Sequence, residues 1–202
     1  MKNLKITALL ASPLSFNYDI LFDTLLISAK AKGLKMSDDE FNPENAINVQ
    51  DIVRYLGDIP LCSKGFVKGI EGTAKYYKRF DEDSELFACN KKIETGKGKF
   101  KNYSNTINTI HSSEIIFYCF GDKEKISKLL EKVYSIGKKI SQGYGIVREW
   151  KIEDYNEINW FDIDTPFRPI PCEMIESNNK NRKVVAYKFP YWYKGNKKLC
   201  YV

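Results

Sequence analysis

Residues 114–153 read EIIFYCFGDKEKISKLLEKVYSIGKKISQGYGIVREWKIE, and the order of elements inside this stretch decides the fold. Glu114 to Phe120 is rich in β-branched and aromatic residues and suits a buried central strand. Gly121 and Asp122 turn the chain, and the Asp122 carboxylate is placed to cap a helix. Ile126, Leu129, Leu130, Val133 and Ile136 follow at i, i+3, i+4 and i+7, one apolar face of a helix that ends near Gly137. After the glycine-rich run 137–145, Ile146 to Glu153 alternates like a strand.

Upstream, residues 4–12 read as a first strand stopped by Pro13. Asp19 is placed to cap a helix carrying Ile20, Leu21, Thr24, Leu25, Ser28 and Ala29, with Gly33 as its stop. Residues 34–58 are polar and less regular, with a short helix at Ala46 to Leu56, and Ile59 to Cys62 starts another extended stretch. Residues 63–110 are rich in Lys, Gly, Asn and Thr and suit a long hairpin with its tip at Thr95-Gly96-Lys97-Gly98. The order is β-α-β-β-α-β, an α+β, ferredoxin-like (RNA-recognition-motif-like) layout with helices on one face of an antiparallel sheet. It covers residues 1–153, with a basic hairpin inserted at about 75–105, and residues 154–202 form a short C-terminal β extension packed on it.

The chain has 202 residues, 43% hydrophobic and 29% charged, which is enough to bury a core and excludes a disordered segment. The longest apolar run, Ile115 to Phe120, is far short of the roughly 20 residues that span a bilayer. No apolar leader opens the sequence, so a cytoplasmic protein without membrane contact is expected. Cysteines stand at 62, 89, 119, 172 and 200 with no C-x-x-C, and His111 is the one histidine. This spacing supports neither a disulfide framework nor a zinc site, and no metal or cofactor is expected.

The net charge is +6. After Glu176 there is no acid, while Lys180, Arg182, Lys183, Lys188, Lys194, Lys197 and Lys198 follow. Lys91, Lys92, Lys97, Lys99 and Lys101 form a second basic stretch against the single acid Glu94. Clustered cations with interleaved aromatics suit a polyanion, since phosphate contacts release condensed counterions. A solvated lysine-rich surface fits the same composition.

Residues 137–145 separate a helix end from a strand. A nucleotide-hydrolysing phosphate loop follows a strand, opens a helix and ends G-K-S/T, and here Ile140 stands between Lys139 and Ser141. A dinucleotide fingerprint fails as well, because G-x-G occurs once, at Gly143 and Gly145, and opens no helix. What remains is a flexible backbone with Lys138, Lys139, Ser141, Gln142 and Tyr144. Its amides can cradle phosphate and Tyr144 can stack on a base. A helix C-cap followed by a β-bulge fits the same residues.

Ile-Gly-Lys-Lys at 136–139, Ser-Gln-Gly-Tyr-Gly at 141–145 and Val-Arg-Glu-Trp at 147–150 together resemble the glycine-rich loop of the CRISPR-associated RAMP superfamily. Leu10-Ala11-Ser12-Pro13 with Leu21 to Leu26, Pro166 to Pro171, and Phe189 to Trp192 with Leu199-Cys200 resemble the handle-binding subunits of type IV CRISPR effector complexes. This resemblance implies a non-catalytic structural subunit that holds the 5′ repeat-derived handle of a CRISPR RNA and caps a filament of backbone subunits. The implied partners are crRNA and the backbone and large subunits, with no small-molecule substrate. It implies RNA contact by Lys138, Lys139, Ser141, Gln142, Gly143, Tyr144 and Gly145, and by Lys97, Lys99 and Lys101 on a projecting thumb hairpin.

Arg168 sits among prolines that could aim its guanidinium at phosphate, and it is also an ordinary turn residue. Tyr191, Trp192 and Tyr193 suit a stacking face or the core and rim of a terminal strand. An alternative function is metal-independent crRNA processing, for which His111 is the candidate base. A lone histidine at a strand entrance also suits a purely structural place. Hydrolysis by a carboxylate pair is not supported, since Asp81, Glu82, Asp83 and Glu85 form a local run, and Asp162 and Asp164 carry no metal motif. A third alternative is a solitary phage- or plasmid-borne protein that mimics a complex subunit.

Overall fold

The structure, a computed structural model, describes residues 1–32, 47–79, 94–156, 158–160, 166–175 and 181–202. In chain order the elements are β1 (Lys2–Leu10), α1 (Phe22–Ala31), β2 (Tyr55–Leu56), β3 (Ile59–Pro60), β4 (Ile70–Lys78), β5 (Tyr103–His111), β6 (Glu114–Gly121), α2 (Lys123–Leu130), β7 (Val147–Asp154), β8 (Ile170–Pro171), β9 (Arg182–Ala186) and β10 (Lys197–Tyr201). Strand β1 lies between β6 and β7, antiparallel to both, with Ile6 facing Phe117 on one side and Ile152 on the other. Residues 61–66 continue the ladder on the other side of β6, with Cys62 opposite Cys119 and Phe66 opposite Ile116.

Alternation along the strands builds the core. Leu4, Ile6, Ala8 and Leu10 of β1 and Ile115, Phe117 and Cys119 of β6 are buried. They share one cluster with Phe22, Leu26, Ile27 and Ala29 of α1 and Ile126 and Leu130 of α2. Phe22 and Phe117 meet at 5.3 Å between ring centroids. Each of the Leu, Ile and Phe side chains among them contributes about 2 kcal/mol by leaving water. This α+β layout, with mainly antiparallel sheets and two α-helices among the described residues, is compatible with a ferredoxin-like fold.

Several element ends differ from the sequence expectation. α1 begins at Phe22, and Leu21, not Asp19, occupies the N-cap without a side-chain bond. The Phe22 amide instead donates to the Ser63 carbonyl, a tertiary partner that periodicity cannot reveal. Asp122 does cap α2, accepting from the Glu124 and Lys125 amides at 3.0 and 3.1 Å. α2 then stops at Leu130, short of the expected end near Gly137. Val133 and Ile136 are still buried, carried by turns and by a bridge from Ser135 to Ile146. Over 47–56 the chain makes a turn at Val49 to Val53 and then β2, in place of the expected helix.

A two-stranded ribbon, β4 with β5, stands where the insertion was expected and extends past 75–105 at both ends. β4 and β5 pair from Ile70 opposite His111 to Lys78 opposite Tyr103. Thr95 to Gly98 folds back near the end of this ribbon, with the Asn102 amide donating to Thr95 O and the Lys78 Nζ to Lys99 O. The acidic run 81–85, Cys89, Lys91, Lys92, Asp162, Asp164 and Lys180 lie outside the described residues.

The C-terminal residues form a second antiparallel sheet in the order β8-β10-β9. Its inner side places Cys200 and Val185 against Ile59, Tyr187 and Val202. Among the described cysteines, Cys62, Cys119, Cys172 and Cys200 are free thiols.

Candidate nucleic-acid interface

The loop 137–145 is held at its base by backbone bonds to the segment after β1. The Gly145 amide donates to Pro13 O and the Lys138 amide to Ser15 O, at 2.8 and 2.6 Å. Ile146 N donates to Ser12 Oγ at 2.8 Å, and Ile136 N to Gly145 O at 2.8 Å. These approaches are too close for a side chain. A Cβ on Gly145 would lie 1.8 Å from Ile136 O, and one on Gly137 would lie 2.5 Å from Ser15 O. Two of the glycines therefore anchor the loop, and neither position tolerates a larger residue.

Between the anchors the chain turns outward. Lys139 adopts a left-handed φ of 59°, a single 3-10 turn spans Ile140–Gln142, and Gly143 returns at φ 87°. The turn closes through Gln142 N to Lys139 O and Gly143 N to Ile140 O. The amides of Lys139, Ile140 and Ser141 have no hydrogen-bond partner among the described residues, and all three residues are exposed. Lys138 is also exposed, and its ammonium lies 5.7 Å from the ring centre of Tyr18, a residue 81% exposed. Three consecutive free N–H groups beside two lysines, the Ser141 hydroxyl and an open aromatic ring are a donor set suited to an anion. Gln142 and Gly143 are exposed on the same turn, and Tyr144 is half-buried.

The ribbon joins this place through the same segment. Leu14 and Ile110 exchange backbone bonds at 2.9 and 2.8 Å, so residues 11–15 lie between the loop and the foot of β5. His111, Ser112 and Ser113 line a shallow cleft of about 340 Å³ with Leu10 to Pro13. The His111 side chain is exposed there.

Further along the ribbon, cations and tyrosines alternate. Tyr76 and Tyr103 stand 6.1 Å apart, Lys78 lies 5.9 Å from the Tyr103 ring and Arg79 lies 5.8 Å from the Tyr77 ring. Lys99 and Lys101 are exposed at its end, and Lys97 pairs with Glu94 at 3.3 Å. Tyr18, Tyr76, Tyr77 and Tyr103 were not among the expected contacts. Tyr76 and Tyr77 stand between Lys75 and Lys78 in the sequence, whereas Tyr18 and Tyr103 meet Lys138 and Lys78 only in the fold.

Arg168 departs from the expectation of an RNA contact. Its guanidinium is buried and faces inward, donating to Pro60 O at 2.6 Å, Cys62 O at 3.2 Å, Tyr187 O at 2.8 Å and Tyr191 Oη at 3.0 Å. Tyr191 in turn donates to Asp23 Oδ2 at 2.5 Å, and Asp23 Oδ1 lies 3.8 Å from Arg168 Nη1. Burial pushes the Tyr191 phenol well above its ordinary pKa, Arg168 opposes this and Asp23 adds to it, so the hydroxyl stays a donor. The network clasps the C-terminal extension to α1. Tyr191 thereby belongs to the interior, while Trp192 and Tyr193 of the expected aromatic triplet are exposed.

Among the described residues no group of His, Cys, Asp and Glu is arranged to hold a metal ion, and no helix is long and apolar enough to cross a membrane. The family model described as CRISPR type IV associated protein Csf3 matches residues 64–202. A comparison with curated proteins gives no match. The matched span includes the ribbon, the glycine-rich loop and the whole C-terminal sheet.

Proposed function

The chain belongs to the Csf3 family of CRISPR type IV associated proteins, and on that premise we propose that it is the RNA-holding subunit of a type IV ribonucleoprotein. It would grip the 5′ repeat-derived handle of the crRNA and cap the backbone filament, in the cytoplasm, on a ferredoxin-like RAMP scaffold. The observation that carries this reading is the run of three unpartnered amides at 139–141, set beside Lys138 and Lys139 and anchored by glycines. Those N–H groups fix phosphate position, the lysines supply salt-dependent affinity, and Tyr18 or the ribbon tyrosines offer stacking surfaces. Chemistry on the RNA is not part of the role.

A second reading, metal-independent cleavage of the repeat, is favoured by one observation: His111 is exposed in the cleft beside the loop anchors. One experiment separates them. Purified protein is mixed with 5′-labelled repeat RNA in EDTA at two salt concentrations and run on native and denaturing gels. A salt-sensitive shift with intact RNA is expected. A discrete product that disappears in His111→Ala would make the protein the processing nuclease, and no shift at low salt would remove the RNA-holding role.

A further inference from the structure

The hairpin of β9 and β10 carries a surface that RNA holding does not use. Leu199 is directly cross-strand from Val184, and these side chains are 48% and 67% exposed. Alternation puts them on the side opposite Val185 and Cys200, which fill the small C-terminal core. On the same side, Lys197 and Ala186 form the next rung and Tyr201 and Arg182 the following one, where Tyr201 is buried and Arg182 is exposed with its guanidinium 5.2 Å from the Tyr201 ring. The result is an aliphatic centre with a cationic border. β9 is also the edge of its sheet.

Charge selects the occupant. No acid follows Glu176 in the sequence. Lys188 and Lys198 are paired, with Asp58 and Glu173, whereas Lys197, on this face, is exposed and has no partner among the described residues. Single-stranded nucleic acid is held chiefly by stacking on aromatic faces and by donors to phosphate, and the Val184–Leu199 pair supplies neither. An apolar centre inside a charged rim is instead the anatomy of a protein interface. We infer that the outer face of the β9–β10 hairpin docks another protein subunit of the complex, through a patch on that subunit with an apolar centre and an acidic rim.

The test uses the full chain co-expressed with tagged partner subunits of the same complex, compared with Val184→Ser/Leu199→Ser and with Lys197→Glu. Both variants alter only exposed side chains, and their melting temperatures are checked against the parent. Recovery with the tagged subunit is expected to fall about tenfold for the double serine variant. Lys197→Glu should lose recovery at low salt and lose less, relative to the parent, at high salt. Affinity of the isolated chain for repeat RNA should stay within about twofold in both. Undiminished recovery of either folded variant overturns the inference. A loss of RNA affinity in either variant also overturns it and assigns the face to nucleic acid. Neither result depends on whether the glycine-rich loop grips the RNA handle.

Discussion

A Cβ on Gly145 would sit 1.8 Å from the Ile136 carbonyl oxygen, whereas one on Gly143 would meet nothing within 4 Å. The two glycines of one short motif therefore do different work. Gly145→Ala is expected to lower the melting temperature sharply, because the clash is with backbone that cannot move aside. Gly143→Ala adds only the strain of a left-handed residue, about 1 kcal/mol, while distorting the turn that presents the 139–141 amides. Its melting temperature should fall little and its RNA affinity more. Melts and gel shifts on the same preparations check both outcomes. Residue identity made the loop legible in the sequence as a flexible backbone whose amides can cradle phosphate. It did not tell anchor from opening, because that depends on which carbonyl lies opposite. Arg168 shows the same boundary. Its flanking prolines were visible, but the partners that bury it come from residues 60, 62, 187 and 191.

At the level of elements, the β4–β5 ribbon sets exposed lysines beside tyrosines. Its register is fixed over nine rungs, from Ile70 opposite His111 to Lys78 opposite Tyr103. Replacing Lys99 and Lys101 by alanine should weaken RNA binding at low salt. It should flatten the slope of log affinity against log salt by roughly 1.4, two single-strand phosphates' worth. Tyr103→Ala should instead weaken binding at every salt concentration, because stacking is not screened. Titrations over a salt series distinguish the two behaviours. The hairpin was legible from its Lys, Gly, Asn and Thr content, though its ends were not, since β4 carries no strict alternation. α2 illustrates the opposite error. Val133 and Ile136 keep helical spacing because they remain buried, yet the chain reaches those places through turns. Periodicity records which side chains face the core, not which amides close the ladder.

For the molecule as a whole, stability should fail on the alkaline side. Burial, with Asp23 and Cys62 adding to it, raises the Tyr55 phenol to about 12 from 10.0. Burial likewise raises Tyr191. A raised acid holds its proton in the folded state after the unfolded state has lost it. The resulting stability is complete below pH 10 and disappears as pH rises towards 12. Urea midpoints measured at about pH 9 and 11 should drop, and Tyr55→Phe should shrink the drop. The family-matched span opens at residue 64, yet the strand that joins the sheet, β1, lies before it. Leu4 faces Cys119 on one side and Asp154 on the other. β1 thus waits for partners made more than a hundred residues later. Its first neighbour, β6, comes by one long closure and its second, β7, by another, so the three-stranded sheet forms late. A truncated product that stops before β7 would carry β1 with one edge bare and apolar, a ready template for another chain.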